Sequence, residues 1–598
     1  MSRATLHGSA MHNLSRHLGI YGLLLALAGG YLALQTPFGA LPVALWVGGM
    51  LFLIAAAWRH DALADSVPLA RVLIRALSRP AVRIEVLAVL LVCLAAFVLR
   101  AWDLERFPPF MHGDEAESAW RGLRILIGPD PLPPFQTSYD WYGIPTLYHY
   151  LEAGSMALFG LSEGGVRMGS VFFGAVSIPL AYAIARLSWG RTAAVISTLL
   201  MAFGHTHIHF SRMAGGFIQA SLMMVLMMLL IVIAARGGRR MLVFVGIGLV
   251  IGLAQYMYVA TRLLPIVAGI LLLALLAQRK LDGRHILVVG LATLVAVAPL
   301  GIWYLQNPQA IGGRVDDVFI LNAGALRHTL GPDYQMPRDL GKLVGLQFER
   351  TIGYLINKGD VSTKYSFEFP GFDAITSGLF WLGLALALPR IRRAGEFGLI
   401  VWFTAGFTIA GLLTIDAPSA NRLMAAIPSV YLLAGFAAQR IADGLGRVAA
   451  VLKPAAQKVT SAITAAVIVV IVSVIAVPYN LNIAFVAYPL VSGPMAPIMT
   501  GHELAPLDGA GWRAYVMGLP TMYADYAPVR FVAYRIKAND LLRAEDLVPA
   551  VDGRKTIVVA LPVNYGEFER VKQRFPGGEE HEGFDLRGNS VFKSYRFQ

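Results

Sequence analysis

Long apolar runs separated by short polar stretches occupy the chain to about residue 478, and from about 513 an ordinary mixture of apolar and polar positions replaces them. A helix needs about 20 predominantly apolar residues to cross a hydrocarbon core. Runs of that kind fall at roughly 20–36, 41–58, 84–101, 166–185, 192–208, 216–235, 241–258, 263–277, 286–305, 375–389, 397–414, 423–438 and 461–478, thirteen segments in all. One further stretch, 144–160 ("IPTLYHYLEAGSMALFG"), has nearly the length of a span but holds His149 and Glu152. Counting it would reverse the sidedness of every later loop, so it is expected to lie along the outer interface.

The loop 306–374 is too long for a plain connection and is expected to fold against the membrane or to act as a lid. Inside it, "LGKLVGLQFERTIGYLINKGD" has apolar residues at helical spacing and reads as an amphipathic surface helix. Beyond 513, "RAYVMGLP", "KTIVVALP" and "NSVFKSYRF" read as strands, and "VRFVAYRIK" and "NYGEFERVKQRFP" as helical segments. The expected fold class is mainly α, a polytopic membrane helical bundle of about thirteen transmembrane helices with a small C-terminal α/β extracytoplasmic domain. Three parts follow: a hairpin with a basic cytoplasmic connector (1–83), a transmembrane module with outer loops 103–165 and 306–374 (84–478), and a linker with the small domain (479–598).

Composition agrees, since 56% of the 598 residues are hydrophobic and 15% charged, which excludes a soluble enzyme. The net charge of +13 invites a nucleic-acid reading, but most lysines and arginines lie in alternate short loops. With the N-terminus inside, every inner loop is basic, as the positive-inside rule requires, so the excess is topological and no nucleic-acid partner is expected. The other face receives 103–165, 306–374 and the C-terminus. Arg3, Arg16 and His17 before the first run read as part of a retained anchor. The single cysteine, Cys93, lies in an apolar run and reads as a small buried hydrophobe.

Chemistry is sought where charge sits beside the bilayer, because ionised groups there are costly. "FPPFMHGDEAESAWRGL" places Asp114, Glu115 and Glu117 just after a span. Helix capping explains acids in a first turn and contributes about 0.3–1 kcal/mol. A carboxylate at the lipid boundary can also serve as general base toward a hydroxyl or amine. "SYDWYGIPTLYHYLEAG" gathers aromatics with His149; these fit either an interfacial belt or a surface that stacks on a sugar ring. Tyr142 and His149, with Tyr256 in "YMYVATRLLP", are the candidate substrate contacts.

Arg167, Arg212, Arg262 and Arg422 fall at outer ends of spans. Snorkelling to lipid phosphate explains each alone, whereas their convergence would build a site for a phosphate, which guanidinium binds as a bidentate fork. "GHTHIHFSR" sets His205 and His209 four apart, a spacing compatible with a divalent metal, but no third ligand follows in sequence and a polar helix end accounts for the pair as well. No motif fixes a cofactor. The Gly-Gly pairs at 215–216, 237–238 and 312–313 lack the strand-glycine-helix setting of a phosphate cradle.

The ordered set "RFPPFMHGDEAESA", "YGIPTLYHYLEAGSMALFGLSEGGVRMGSVFFGAVSIPLAYAIARL", "HIHFSR", "YMYVATRLLP", "NPQAIGGR", "NKGD" and "DAPSANRLMAAIP" resembles membrane glycosyltransferases of the GT-C fold. In particular it resembles bacterial glycosyltransferase family 39, related to protein O-mannosyltransferases and lipid A aminoarabinose transferases. The resemblance covers nearly the whole chain after about residue 84. It implies transfer of a sugar from a polyprenyl-phosphate donor to a protein, lipid or glycan acceptor at the periplasmic face of a bacterial inner membrane, with inversion at the anomeric carbon. Asp114 would activate the acceptor, Glu115 would shape or support the site, and Arg262, Arg422 and Arg212 would hold the donor phosphate. Two departures stand out: after "HFSR" only Gln219 occurs where relatives often carry an acid or Asn, and "IPTLYHY" replaces the Lys-Pro-Pro segment of the aminoarabinose transferases. A lipid or solute transporter, a flippase and a non-catalytic relative are the alternatives; ionisable residues at span ends rather than at the midplane favour the enzyme. An oligosaccharyltransferase is disfavoured because the C-terminal region has no Trp-Trp-Asp motif.

Overall fold

Nine helices among the described residues are long and apolar enough to cross a membrane, from His17–Gln35 to the Ala456–Val491 run. The computed structural model describes residues 3–64, 78–128, 132–138, 143–360, 368–491, 493, 495–548 and 553–598. Four other expected spans form helices that fall short of that standard. Arg191–Phe203, Met241–Ala254 and Ala374–Arg390 are apolar but short, and Ile427–Leu452 is amphipathic along its length and largely buried in its first half. The last span also runs on to Val491, well past residue 478, because "YNLNIAFVAYPLV" continues the apolar helix. The segment set along the outer interface forms the helix Leu147–Phe159, which packs between Gly113–Ile127 and Glu163–Ser188.

Small residues let the first two helices pair closely. A Cβ on Gly22 would lie 2.8 Å from the Gly49 carbonyl oxygen, so only glycine permits this approach of backbones. The hairpin docks on Gly283–Gln306, where the Trp46 indole donates to the Ala296 carbonyl at 2.9 Å. The main core lies among Glu163–Ser188, Arg191–Phe203, Phe217–Ala235, Leu263–Ala277, Ala394–Gly406 and Ile427–Leu452, with Trp402, Tyr431 and Phe436 fully buried.

In the loop 306–374 the helix Leu340–Tyr354 buries Leu343, Gln347 and Thr351 and leaves Val344 and Phe348 exposed. Gln347 fixes it by donating to the Leu412 and Thr414 carbonyls at 3.0 and 2.7 Å. The C-terminal domain has a five-stranded sheet in the order β2 (Ala538–Asp540), β1 (Trp512–Met517), β3 (Lys555–Ala560), β5 (Ser590–Phe597), β4 (Glu579–Phe584). β1 is parallel to β2 and β3, and β5 is antiparallel to β3 and β4. β3 is buried at five consecutive positions, as a central strand covered on both faces must be.

Candidate active site

The helix Gly113–Ile127 follows the third span, Val82–Ala101, and His112 caps it by accepting the Asp114 amide on Nδ1 at 3.0 Å. Asp114 and Glu115 sit side by side in its first turn but point into different environments. Glu115 is fully buried and accepts from Arg167 Nε at 2.9 Å and from the Ala214 amide at 3.1 Å. Burial raises its carboxyl above the ordinary value, against the opposing pull of Arg167. Arg167 in turn donates to the Leu104 and Pro108 carbonyls at 3.0 and 3.1 Å, which holds the "LERFPPF" turn. Asp114 is half-buried instead.

The C-terminal domain roofs this turn. The Tyr526 hydroxyl stands so close that a Cβ on Gly113 would meet it at 2.5 Å, and the Asp114 charge contributes to raising the Tyr526 pKa after burial does. Arg530 reaches Glu117 at 2.5 Å and lies over the Trp120 ring, 5.0 Å from its centre. His502 meets Glu163 at 2.8 Å. Ala116, Ala119 and Leu123 share one apolar cluster with Ile498, Ala527 and Phe531 of the domain side.

A second layer converges on the same turn. Gly215 and Gly216 both have positive φ, +115° and +85°, a conformation that glycine adopts without strain. Their bend presents the Ala214 amide to Glu115 and the Gly215 amide to the Tyr148 hydroxyl at 2.9 Å. It also brings Gly216 against Tyr258 and Tyr148. Tyr258 accepts from Asn421 Nδ2 at 3.1 Å, and Asp360 of "NKGD" accepts the Ala420 amide at 2.8 Å. The motifs "GDEAE", "MAGGF", "YMYVATR", "NKGD" and "DAPSANR" are thereby joined by contact.

The candidate residues divide within this frame. Arg262 is half-buried, donates through one Nη to the Ile311 carbonyl at 2.7 Å, and lines a small pocket with Gln255, Tyr258 and Pro145. A guanidinium carries five donors, so capacity toward that pocket remains. Arg422 is half-buried beside Asn421 and donates to the Ile415 carbonyl.

Arg212 differs from both. It is 3% exposed and its two Nη atoms donate to the carbonyls of Leu99, Arg100, Trp102 and Phe107 at 2.6–2.9 Å. Its guanidinium is committed to backbone, which corrects the expectation of a phosphate contact. Tyr256 is fully buried against Trp46 and Phe135, and its hydroxyl accepts the Leu300 amide at 3.2 Å. It is a core residue that ties the first hairpin to the bundle, not a surface for substrate. His149 is buried with Glu152 at 3.0 Å and Ser118 at 3.3 Å, a polar node joining two helices. Glu115 is enclosed by Arg167 and the Ala214 amide with no exposed surface. Tyr142 lies outside the described residues.

His205 and His209 do not meet on one ligand. His205 Nδ1 lies 2.6 Å from Asn480 and Nε2 2.8 Å from the Pro370 carbonyl, whereas His209 packs edge-on against Tyr488. Among the described residues no group of three or more His, Cys, Asp or Glu is placed to hold a metal.

Sequence reasoning overlooked Tyr258, Asn421, Tyr526 and the Gly215–Gly216 bend. The paired glycines three residues after Arg212 were the one available signal, since that spelling asks for positive φ rather than for a phosphate cradle.

Residues 144–303, about a quarter of the chain, match the family model for dolichyl-phosphate-mannose-protein mannosyltransferase. Two solved structures of ArnT from Cupriavidus metallidurans are similar to the chain. The one bound to undecaprenyl phosphate superposes with a TM-score of 0.53 at 14% identity, and the apo state with 0.52 at 15%. Each covers 86% of this chain and 98% of ArnT. No curated protein matches the chain. The bundle of apolar helices and the small C-terminal sheet together are those of a multi-pass membrane protein with the GT-C fold, shared along nearly the full length of ArnT.

Proposed function

We propose that the protein transfers a sugar from a polyprenyl-phosphate donor to an extracytoplasmic acceptor, with Asp114 as general base. The observation that carries this reading is the contrast within one helical turn. Glu115 is immobilised by Arg167, while Asp114 is half-buried beneath Tyr526, between the membrane bundle and the C-terminal domain. A base must be fixed in position and still reach an incoming group, and this pair separates the two tasks.

The acceptor hydroxyl or amine gives its proton to Asp114 as its heteroatom bonds to the anomeric carbon. The bond from that carbon to the phosphate oxygen breaks, and polyprenyl phosphate leaves with the electron pair. A single displacement of this kind inverts the anomeric centre. Arg262 and Arg422 meet the phosphate, whose lipid tail keeps it at headgroup depth and whose charge would otherwise repel the acids. The donor enters from the face opposite the basic loops, which for a bacterial inner membrane is the periplasmic one.

The test incubates purified protein with a panel of polyprenyl-phosphate sugars, reading donor-dependent thermal stabilisation and then transfer. Asp114→Asn is expected to keep donor stabilisation and to lose about 10²- to 10⁴-fold in turnover. Turnover at the parent rate would remove Asp114 from the mechanism, and no stabilisation by any donor would remove the donor class.

A further inference from the structure

The helix Glu163–Ser188 starts beside the Asp114 turn and runs 26 residues, about 39 Å at 1.5 Å per residue, to the opposite end of the bundle. At that far end, under the basic loops, is a cavity of about 330 Å³ enclosed by Glu163–Ser188, Phe217–Ala235, Leu263–Ala277, Ala394–Gly406 and Ile427–Leu452. Its depth is apolar, formed by Ile184, Met228, Ile231, Leu271, Leu275 and Phe436. Its polar side carries Arg236, Arg393 and Arg440.

Two carboxylates also line it, and both have local partners. Asp443 accepts from Gln439 Nε2 at 2.9 Å and stands 4.0 Å from Arg440. Glu396 is 5% exposed and lies in the first turn of Ala394–Gly406, where the helix N-terminus favours a negative charge. Three guanidinium groups against two carboxylates leave one net positive charge in the lining; Arg236 also donates through one Nη to the Leu187 carbonyl at 2.6 Å and keeps further donors. Trp189, packed edge-on against Phe436, lines the same cavity, and its buried indole Nε1 has no hydrogen-bond partner among the described residues.

We infer that this cavity is a binding site for an anionic phospholipid of the inner leaflet, its phosphate on Arg236, Arg393 and Arg440 and its acyl chain in the apolar well. A free phosphate would leave the well empty, and a neutral amphiphile would leave the guanidinium groups without a counter-charge. Occupancy would tie together the inner ends of five helices, distant from the proposed reaction site. The inference does not rest on the function proposed above.

Full-length protein, depleted of lipid in detergent, is titrated separately with phosphatidylglycerol, phosphatidylcholine, undecaprenyl phosphate and inorganic phosphate. Retained adducts are read by native mass spectrometry and stability by melting temperature. Phosphatidylglycerol is expected to be retained one to one and to raise the melting temperature, well ahead of the other three. Arg236→Gln and Arg393→Gln should each weaken retention roughly tenfold, as loss of a charge-assisted contact does. Ala274 also lines the cavity; Ala274→Phe, which fills the well and keeps every charge, should abolish retention while the protein stays monodisperse. Should Ala274→Phe fail to fold, the two arginine variants decide. Equal retention of phosphatidylcholine, stabilisation by inorganic phosphate alone, preference for undecaprenyl phosphate, or undiminished binding by the arginine variants would each overturn the assignment.

Discussion

Glu115 and Arg167, 52 residues apart, form an ion pair at 2.9 Å from which solvent is wholly excluded. Arg167 carries the pairing onward to the carbonyls of Leu104 and Pro108, so one contact fixes both the helix that bears Asp114 and the turn that precedes it. Removing one partner of a buried pair leaves an uncompensated charge and costs about 3–5 kcal/mol. Glu115→Ala and Arg167→Ala are each expected to destabilise the protein by that amount. The double substitution should cost clearly less than the sum, as coupled residues do. Thermal or denaturant unfolding in detergent checks this, and Asp114→Asn, unchanged in stability, is the comparison that separates support from chemistry.

Arg212 and Arg262 are alike in sequence, each at the end of an apolar run, but they have different partners in the structure. Arg212→Ala strands four carbonyls around residues 99–107 and is expected to lower stability on the order of 3 kcal/mol. Arg262→Ala gives up the bond to the Ile311 carbonyl and the contact with the Tyr304 side chain and is expected to lower stability by only about 1 kcal/mol. Its donor affinity should fall roughly tenfold. Melting curves with and without a polyprenyl-phosphate sugar distinguish the two.

The membrane architecture was legible because it follows from length and apolarity alone: the runs at 20–36, 84–101 and 286–305 became helices that meet the spanning standard. The principal strands at 512–517, 555–560 and 590–597 were legible for a similar reason, since β-branched and aromatic runs between turns have few other uses. The site was legible only in part. Asp114 stood out through its position beside a span, but the separate uses of Asp114 and Glu115 depend on Arg167 and Ala214, which no local pattern connects to them. Arg212 and Tyr256 misled because an arginine at a span end and a tyrosine near it look the same whether they face a pocket or the backbone. What decides is which carbonyls and amides lie unmet nearby, and tertiary packing sets that. The short β2 and the extension of the last helix to Val491 were missed because three residues are too few for a pattern and because "YNLN" reads as a polar break.

Gly215 shows how much the converging turn depends on a backbone shape. At φ +115° a side chain is strained, and a Cβ would lie 2.9 Å from the Phe217 ring. Gly215→Ala is expected to cost about 1–3 kcal/mol and to reduce transfer as well, because the Ala214 and Gly215 amides shift from Glu115 and Tyr148. Gly154→Ala, in a helix with open space around its Cα, is the matched control and should be neutral or stabilising by up to about 1 kcal/mol. Equal effects at the two positions would remove the special role of the bend.

The docking of the C-terminal domain carries a pH dependence. The hydrogen bond from His502 to Glu163 raises the imidazole pKa above its ordinary 6.5, with burial acting in the opposite sense. A histidine whose folded value exceeds its unfolded value stabilises the folded state fully below the unfolded value, and that contribution fades as pH rises through the folded one. Arg530 with Glu117 is a second ion pair of this interface and does not involve an imidazole. Raising the pH from about 6 to about 8.5 is therefore expected to loosen the docking, read as faster amide exchange along Gly113–Ile127 and Ala496–Leu504. His502→Ala should show the looser docking at both values and little pH dependence between them. A parent protein whose exchange at these two helices is flat across the range would show that His502 bears no part of the docking energy.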